Sequence, residues 1–173
     1  MLGNLLGDFV KGSKFIGIPD ELQKGIILHR KIDMFIDHHP LILDLQAEIN
    51  EDLPKVSGIA IDLIFDHLLA KNWSNFNNEP LDKFLDSFYE YAFSYENPLP
   101  KNYVYFLNRL KEHNFISKYK EPYALDKSSE FLSNKLSFPN KLKQTRAVFE
   151  NNEKRFQETF DLFMHEAIEN FSS

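Results

Sequence analysis

The chain of 173 residues contains no cysteine. A disulfide scaffold, a thiol nucleophile and a cysteine zinc site are therefore excluded. Glycine and proline are sparse, at six and eight residues, and they form no low-complexity tract, repeat or interdomain linker. No basic segment followed by an apolar stretch opens the chain. No apolar run approaches the roughly 20 residues that span a bilayer. An excess of positive charge is also missing. The formal net charge of -6 argues against a general nucleic-acid binder. These absences predict a cytoplasmic protein with neither a membrane nor a nucleic acid as partner.

Apolar surface, by contrast, is plentiful. Hydrophobic residues make up 43% of the chain and aromatics 14%, with 17 phenylalanines. That suffices for one packed domain and is too little for two comfortable ones. Charge is distributed unevenly. Residues 131–149 hold no acid but carry Lys135, Lys141, Lys143 and Arg146. Lys101, Arg109, Lys111, Lys118 and Lys120 make a second basic stretch, diluted by Glu112. Each stretch reads either as a solvated helix face or as a docking surface for an acidic partner.

Helical spacing dominates, and period-two alternation is scarce. The expectation is an all-α, single-domain helical bundle over residues 1–173. Predicted helices run from Leu5 to Lys11, Pro19 to Asp37, Gly58 to Trp73 and Leu81 to Tyr95. Others run from Asn102 to Asn114, Lys127 to Leu136 and Lys141 to Asn170. Gly12 stops the first helix. Pro40 is a breaker or the first turn of another helix.

Three of these segments carry charge among apolar residues. In "GIILHRKIDMFIDHHP" (Gly25 to Pro40), Leu22, Ile26, His29, Asp33 and Ile36 share one helical face, with Asp37 a further turn on. In "DLIFDHLLAKNW" (Asp62 to Trp73), Asp62 and Asp66 lie one turn apart within a helix apolar almost all round. His67 follows at once, pointing about 100° away from Asp66. In "GNLLGDFVKG" (Gly3 to Gly12), Asp8 sits among Leu5, Leu6, Phe9 and Val10, with Lys11 one turn on. An ionised carboxylate buried in such a helix costs several kcal/mol unless it is paired, protonated or bound to a cation. A divalent metal would remove the repulsion between two of them. His and Asp donors suit Mn²⁺, Fe²⁺, Mg²⁺ or Zn²⁺. The chemistry they suggest is metal-assisted hydrolysis of a phosphate ester, with Lys11 and Arg30 clamping phosphate oxygens. Each residue also has a plainer reading. His29 could be a satisfied core histidine, Asp33 and Asp62 salt-bridge partners, Asp8 a surface residue, and Trp73 core. Asp66 or His67 could merely orient a neighbouring ligand. His38, His39, His113 and His165 show no partner spacing and read as surface or core.

The three blocks resemble the acyl carrier protein phosphodiesterase family, whose pattern runs GNLLADFVRG, then GIxxHRxIDxxTDxxP, then DxxxDHFLxxxW. Order and spacing agree, and the likeness is densest from Gly3 to Trp73. It implies an all-helical fold, distantly similar to HD-type metal-dependent phosphohydrolases. It also implies removal of the 4′-phosphopantetheine arm from holo-acyl carrier protein with a divalent metal, typically Mn²⁺. The motif positions are Asp8, Lys11, His29, Arg30, Asp33, Asp37, Asp62, Asp66 and His67. On this likeness His29, Asp33, Asp62 and Asp66 are expected to be metal ligands. Asp8, Lys11, Arg30, Asp37 and His67 are expected to act in catalysis, His67 as a general acid.

The chain departs from the pattern at Lys11, which loses the bidentate geometry of arginine, and at Ile36, which replaces a hydroxyl. The family pattern also has a histidine-bearing segment, MNFLAHLHLA, ahead of the GNLL block, whereas Gly3 here lies two residues from Met1. The expectation is a late start or an altered site. Acyl carrier protein is the expected partner, with the basic stretches as its docking surface. Two alternatives stand beside this reading. One is an HD-type hydrolase of a small phosphorylated metabolite or nucleotide. The other is a non-enzymatic helical interaction protein with a degenerate site.

Overall fold

The computed structural model describes residues 1–12 and 15–171. Among them the fold is all-α, with no strand. α1 (Leu2–Leu5) runs into a 3-10 turn over Leu6–Phe9. α2 (Asp20–His38), α3 (Pro40–Ile49) and α4 (Ser57–Lys71) follow. Next come α5 (Leu81–Ser94), α6 (Lys101–His113) and the single turn α7 (Phe115–Lys118). α8 (Pro122–Lys135), α9 (Thr145–Asn151) and α10 (Glu153–Phe171) close the order.

Local signals account for most helix ends. Asp20 and Glu21 occupy the first turn of α2, where carboxylates complement the helix dipole. Pro40 and Pro122 begin α3 and α8, where a missing N–H costs nothing. Pro40 is thus a first turn and not a breaker. α6 ends at Asn114 in the left-handed conformation, whose N–H returns to the carbonyls of Leu110 and Lys111.

The differences from expectation have physical causes. The first helix begins at Leu2 and leaves helical geometry at Val10, three and two residues earlier than its periodicity suggests. α8 starts at Pro122 because Ala124 and Leu125 are buried, so packing extends the helix past a polar stretch. The long C-terminal helix is broken. Leu142–Gln144 is a 3-10 turn, and α9 stops before Asn152. There the Asn152 side chain donates to the Val148 carbonyl at 2.9 Å and competes with the helix ladder. Trp73 is half-buried in a 3-10 turn rather than core.

The residues form two compact units. The first comprises Met1–Asp37 and Asn77–Ser117, the second His38–Phe76 and Lys118–Ser173.

In the first unit, Leu2 and Leu6 join Leu22 and Ile26 of α2, Phe88 of α5 and Tyr103 and Leu107 of α6 in one core. Ile26 and Tyr103 are fully buried, and each such apolar side chain contributes about 1.5–3 kcal/mol. Glycine lets the N-terminal segment touch α2 backbone to backbone. A Cβ on Gly25 would lie 2.6 Å from the Asn4 nitrogen, and one on Gly3 would lie 2.5 Å from the Leu22 oxygen. The Tyr103 hydroxyl donates to the Leu2 carbonyl at 2.8 Å. Phe9 packs against Tyr103 and Phe106, with ring centroids 5.2 and 5.1 Å away. The turn bearing Asp8 is thereby fixed from both sides.

In the second unit, α4 is the central helix, burying Ala60, Ile61, Leu63, Ile64, His67, Leu68 and Ala70. Phe160 of α10 stands edge-on to Phe65 at 5.3 Å, and Phe149 of α9 meets Phe156 at 5.8 Å. Truncating a buried side chain such as Ile64 to Ala should cost about 2–5 kcal/mol.

Candidate functional site

In the first unit, the N-terminal turn and α2 bring Asp8, His29 and Asp33 together. His29 Nε2 lies 3.3 Å from Asp8 Oδ1 and 3.2 Å from Asp33 Oδ2. Helix spacing explains the second contact, since the two residues are four apart on α2. Glycine explains the first. A Cβ on Gly7 would lie 2.2 Å from His29 Cδ2, so the bare turn allows the ring to lie against it. Alanine, which the family pattern has here, would displace the ring.

The cluster is not buried as its helical face suggested. Only 18% of the His29 side chain is exposed, but Asp8 is 66% and Asp33 52% exposed. Asp37 is exposed as well. Burial pushes the Asp33 carboxyl above the ordinary range; His29 opposes this, while Asp8 and Asp37 reinforce it. The His29 ring thus stands between the two carboxylates nearest to it, Asp8 and Asp33.

The flanking cations behave differently from expectation. Arg30 Nη2 donates to the carbonyls of Val10 at 2.9 Å and Gly12 at 2.7 Å. Its guanidinium also lies 5.2 Å from the Phe15 ring centre. Arg30 therefore braces the segment after Asp8. Lys11 is exposed, on a stretch that turns at Gly12 with φ +77, where glycine is at ease.

In the second unit, Asp62 and Asp66 share the uncovered stripe of α4. The expectation that this helix is buried all round is wrong; its acids mark the face left to solvent. Asp66 is nonetheless closely surrounded by protein. Loss of hydration, and then the charge of Asp62 one turn away, push its carboxyl up to about 7. The direction follows from crowding and like charge, while water at its surface limits the size of the effect.

His67 is only 2% exposed. Its Nδ1 donates to the Tyr119 carbonyl at 2.6 Å, and its ring meets Phe149 edge-on at 5.5 Å. Burial lowers its pKa, which the Tyr119 carbonyl partly opposes. The side chain pins α4 to the turn between α7 and α8 in its neutral form. Burial also pushes the Tyr119 phenol up to about 12, with the Asp66 charge contributing next and Ser128 opposing.

Tyr103 and Tyr119 support the two sets and lie outside all three sequence blocks. Phe9 lies inside the first, but only packing reveals its role. His39, with no partner spacing in sequence, is buried with Nε2 3.1 Å from Glu166 Oε2.

Among the described residues, no three His, Asp or Glu side chains are already disposed as a cage for a metal ion. The donor chemistry at His29 nevertheless fits one. An imidazole nitrogen stands between two carboxylate oxygens, the mixed set that divalent first-row ions accept. No described helix is long and apolar enough to cross a membrane.

Three cations of the predicted docking surface are neutralised by acids of the chain itself. Lys143 meets Glu130 at 3.4 Å. Arg146 meets Asp126 at 2.9 Å and Glu150 at 2.7 Å. Arg109 meets Glu112 at 3.4 Å.

Comparison with known proteins agrees with the motif blocks. The chain is 40% identical over 73 residues to an acyl carrier protein phosphodiesterase of Yersinia pestis, covering 42% of this chain and 38% of the relative. To the protein of that name from Pectobacterium atrosepticum it is 36% identical over 87 residues, 50% of this chain and 45% of the relative. To one from Escherichia coli it is 28% identical over 120 residues, 69% of this chain and 62% of the relative. The aligned stretches thus span between 38% and 62% of these relatives' lengths. No solved structure matches. The family model for acyl carrier protein phosphodiesterase covers residues 1–167, and on that match the chain belongs to the acyl carrier protein phosphodiesterase family.

Proposed function

We propose that the chain hydrolyses the phosphodiester joining 4′-phosphopantetheine to the serine of holo-acyl carrier protein. Water adds to phosphorus and the bond from phosphorus to the serine oxygen breaks. The serine oxygen takes up a proton. The products are apo-carrier protein and 4′-phosphopantetheine. The observation that carries this reading is the Asp8–His29–Asp33 cluster, within a chain matched by the family model over residues 1–167.

The residues have distinct tasks. In the first unit Asp8, His29 and Asp33 would hold a divalent metal, with Mn²⁺ favoured and Mg²⁺ or Fe²⁺ also suited. In the second, Asp62 and Asp66 would serve as ligands through their solvent-facing carboxylates. A metal held by either set would supply charge neutralisation at the phosphoryl group and an activated water. Asp37 adds negative potential beside Asp33, favouring a bound cation. Arg30 holds the Val10–Gly12 backbone that carries Lys11. Lys11 is the exposed cation left to meet a phosphate oxygen. His67 acts by fixing α4 through Tyr119; its buried ring suits anchoring better than proton delivery.

The test is direct. Holo-acyl carrier protein is incubated with the chain and Mn²⁺, and its mass is followed. Loss of the phosphopantetheine arm, abolished in Asp62→Asn, is the expected result. An unchanged mass under these conditions overturns the reading.

A further inference from the structure

The second unit contains a cleft that none of the motif blocks includes. It has a volume of about 340 Å³ and is lined by Pro54, Lys55, Pro139, Asn140 and Lys141. Neither lysine has a carboxylate partner among the described residues. Lys143 and Arg146, close to Lys141 in sequence, differ in that each contacts an acid within 3.4 Å. In a chain of net charge -6, two unneutralised ammonium groups at one concavity form a local positive site.

The walls of this cleft are built rigidly. Lys55 holds a φ of +67, a conformation that a residue with a Cβ rarely adopts. Leu53 and Val56 on either side are buried at 0% and 1% exposure, which locks the turn. On the opposite wall Asn140 is fixed by its own side chain. Its Oδ1 accepts from Ser133 Oγ at 2.9 Å and from the Leu142 N–H at 3.1 Å. Its Nδ2 donates to the carbonyls of Phe138 at 3.1 Å and Ser133 at 3.3 Å. Strain held by a surrounding scaffold points to use of the site. The cleft also adjoins the start of α4. Asp62 lies five residues beyond Ser57, and Asp66 nine, or about 7.5 and 13.5 Å along the axis.

We infer that the Lys55–Lys141 cleft receives an acidic segment of the carrier protein and seats it beside the Asp62–Asp66 face. This rests on the proposed substrate and narrows its docking surface from a long basic stretch to two residues. Lys143 and Arg146, already neutralised, contribute little to it.

The experiment measures binding and turnover separately. Fluorescently labelled holo-carrier protein is titrated with the wild-type chain and with a Lys55→Glu/Lys141→Glu double variant, at low and high salt. Hydrolysis of holo-carrier protein and of bis(p-nitrophenyl) phosphate is followed in parallel with Mn²⁺. The expected result is a rise of about tenfold in Kd and KM for the carrier protein. kcat and small-ester hydrolysis should stay within twofold, and the difference should shrink with salt. Lys154→Glu, at an exposed position of α10, should bind as wild type does. Lys55→Gly, which keeps the left-handed turn and removes one charge, should give an intermediate Kd. Equal Kd for wild type and double variant, or no binding at all, overturns the docking site. Charge-dependent binding without loss of the arm would leave the docking site standing and overturn the proposed reaction instead.

Discussion

The two units solve the same electrostatic problem in different ways. Each sets acids close together and has a histidine within a turn of one of them. In the first unit, His29 stands between Asp8 and Asp33 at 3.3 and 3.2 Å, so one ring compensates two carboxylates. In the second, His67 turns into the core to bond the Tyr119 carbonyl. Asp66 stays one turn from Asp62, and loss of hydration, then the Asp62 charge, push it up to about 7. Proximity in sequence therefore says little about pairing; the phase on the helix decides it. His29 and Asp33 are four apart and meet, while Asp66 and His67 are adjacent and diverge.

The largest change should come from removing the compensating ring. His29→Ala would take the imidazole from between Asp8 and Asp33 and leave their carboxylates without it. We expect the proposed arm removal from holo-carrier protein to fall by roughly 10²-fold or more, measured by mass at fixed time. His67→Phe should act differently, lowering the melting temperature more than the rate. If both variants lost activity in equal proportion with unchanged stability, the distinction between the two histidines would fail.

A second break targets the close approach that places Asp8. Gly→Ala inside a helix normally stabilises by up to about 1 kcal/mol. At Gly25 the sign should reverse, because the new Cβ would meet the Asn4 nitrogen at 2.6 Å. We expect Gly25→Ala to destabilise by about 1–3 kcal/mol, read from denaturant unfolding. A stabilised variant would show that the N-terminal segment does not rest on α2.

This contact also shows what could be read from the sequence. The all-helical fold was legible, because three- and four-residue spacing recurs through most of the chain. So was the pairing of His29 with Asp33, which needs only helix geometry. Asp8 was legible as a candidate, but not its contact with His29, which depends on the absence of a Cβ at Gly7. Burial was misjudged. A helix as apolar as α4 predicts a core on all sides, yet Asp62 and Asp66 mark a solvent face. Arg30 looked like a phosphate clamp because local sequence shows its charge and not the carbonyls of Val10 and Gly12 that occupy it. The break at Asn152 was hidden because an asparagine interrupts a helix only when its side chain finds a carbonyl to bond.

Long-range support of the Asp8 turn gives a third, smaller test. Tyr103 lies about one hundred residues away in the chain, yet its hydroxyl meets the Leu2 carbonyl at 2.8 Å. Tyr103→Phe keeps the ring against Phe9 and removes only that donor. The Leu2 carbonyl keeps the Leu6 N–H as a donor, so losing the hydroxyl should cost about 0.5–1.5 kcal/mol, or roughly 1–6 °C in melting temperature for a chain of this size. The loss should be greater than that of Tyr91→Phe, whose side chain is exposed. Equal losses would remove Tyr103 as an anchor of the first unit's cluster.

The smallest effect concerns the second unit and is recognisable by its pH dependence. The folded-state carboxyl of Asp66 lies above its unfolded value of 3.8, at about 7. Between those values the folded chain binds more protons than the unfolded one, so stability falls as pH rises through this window. The favourable contribution is complete below about pH 4 and gone above about pH 7. Asp66→Asn removes both the titration and the repulsion from Asp62. In metal-free protein it should leave stability near pH 4 unchanged and raise it at pH 8. The gain should be about 1 kcal/mol, far less than the full shift implies, because water reaches the residue and screens its charge. His29→Asn should show no such gain at pH 8, since it removes compensation instead of repulsion. A wild-type stability curve that is flat from pH 4 to pH 8, or a variant curve parallel to it, would mean that the second unit balances its acids as fully as the first.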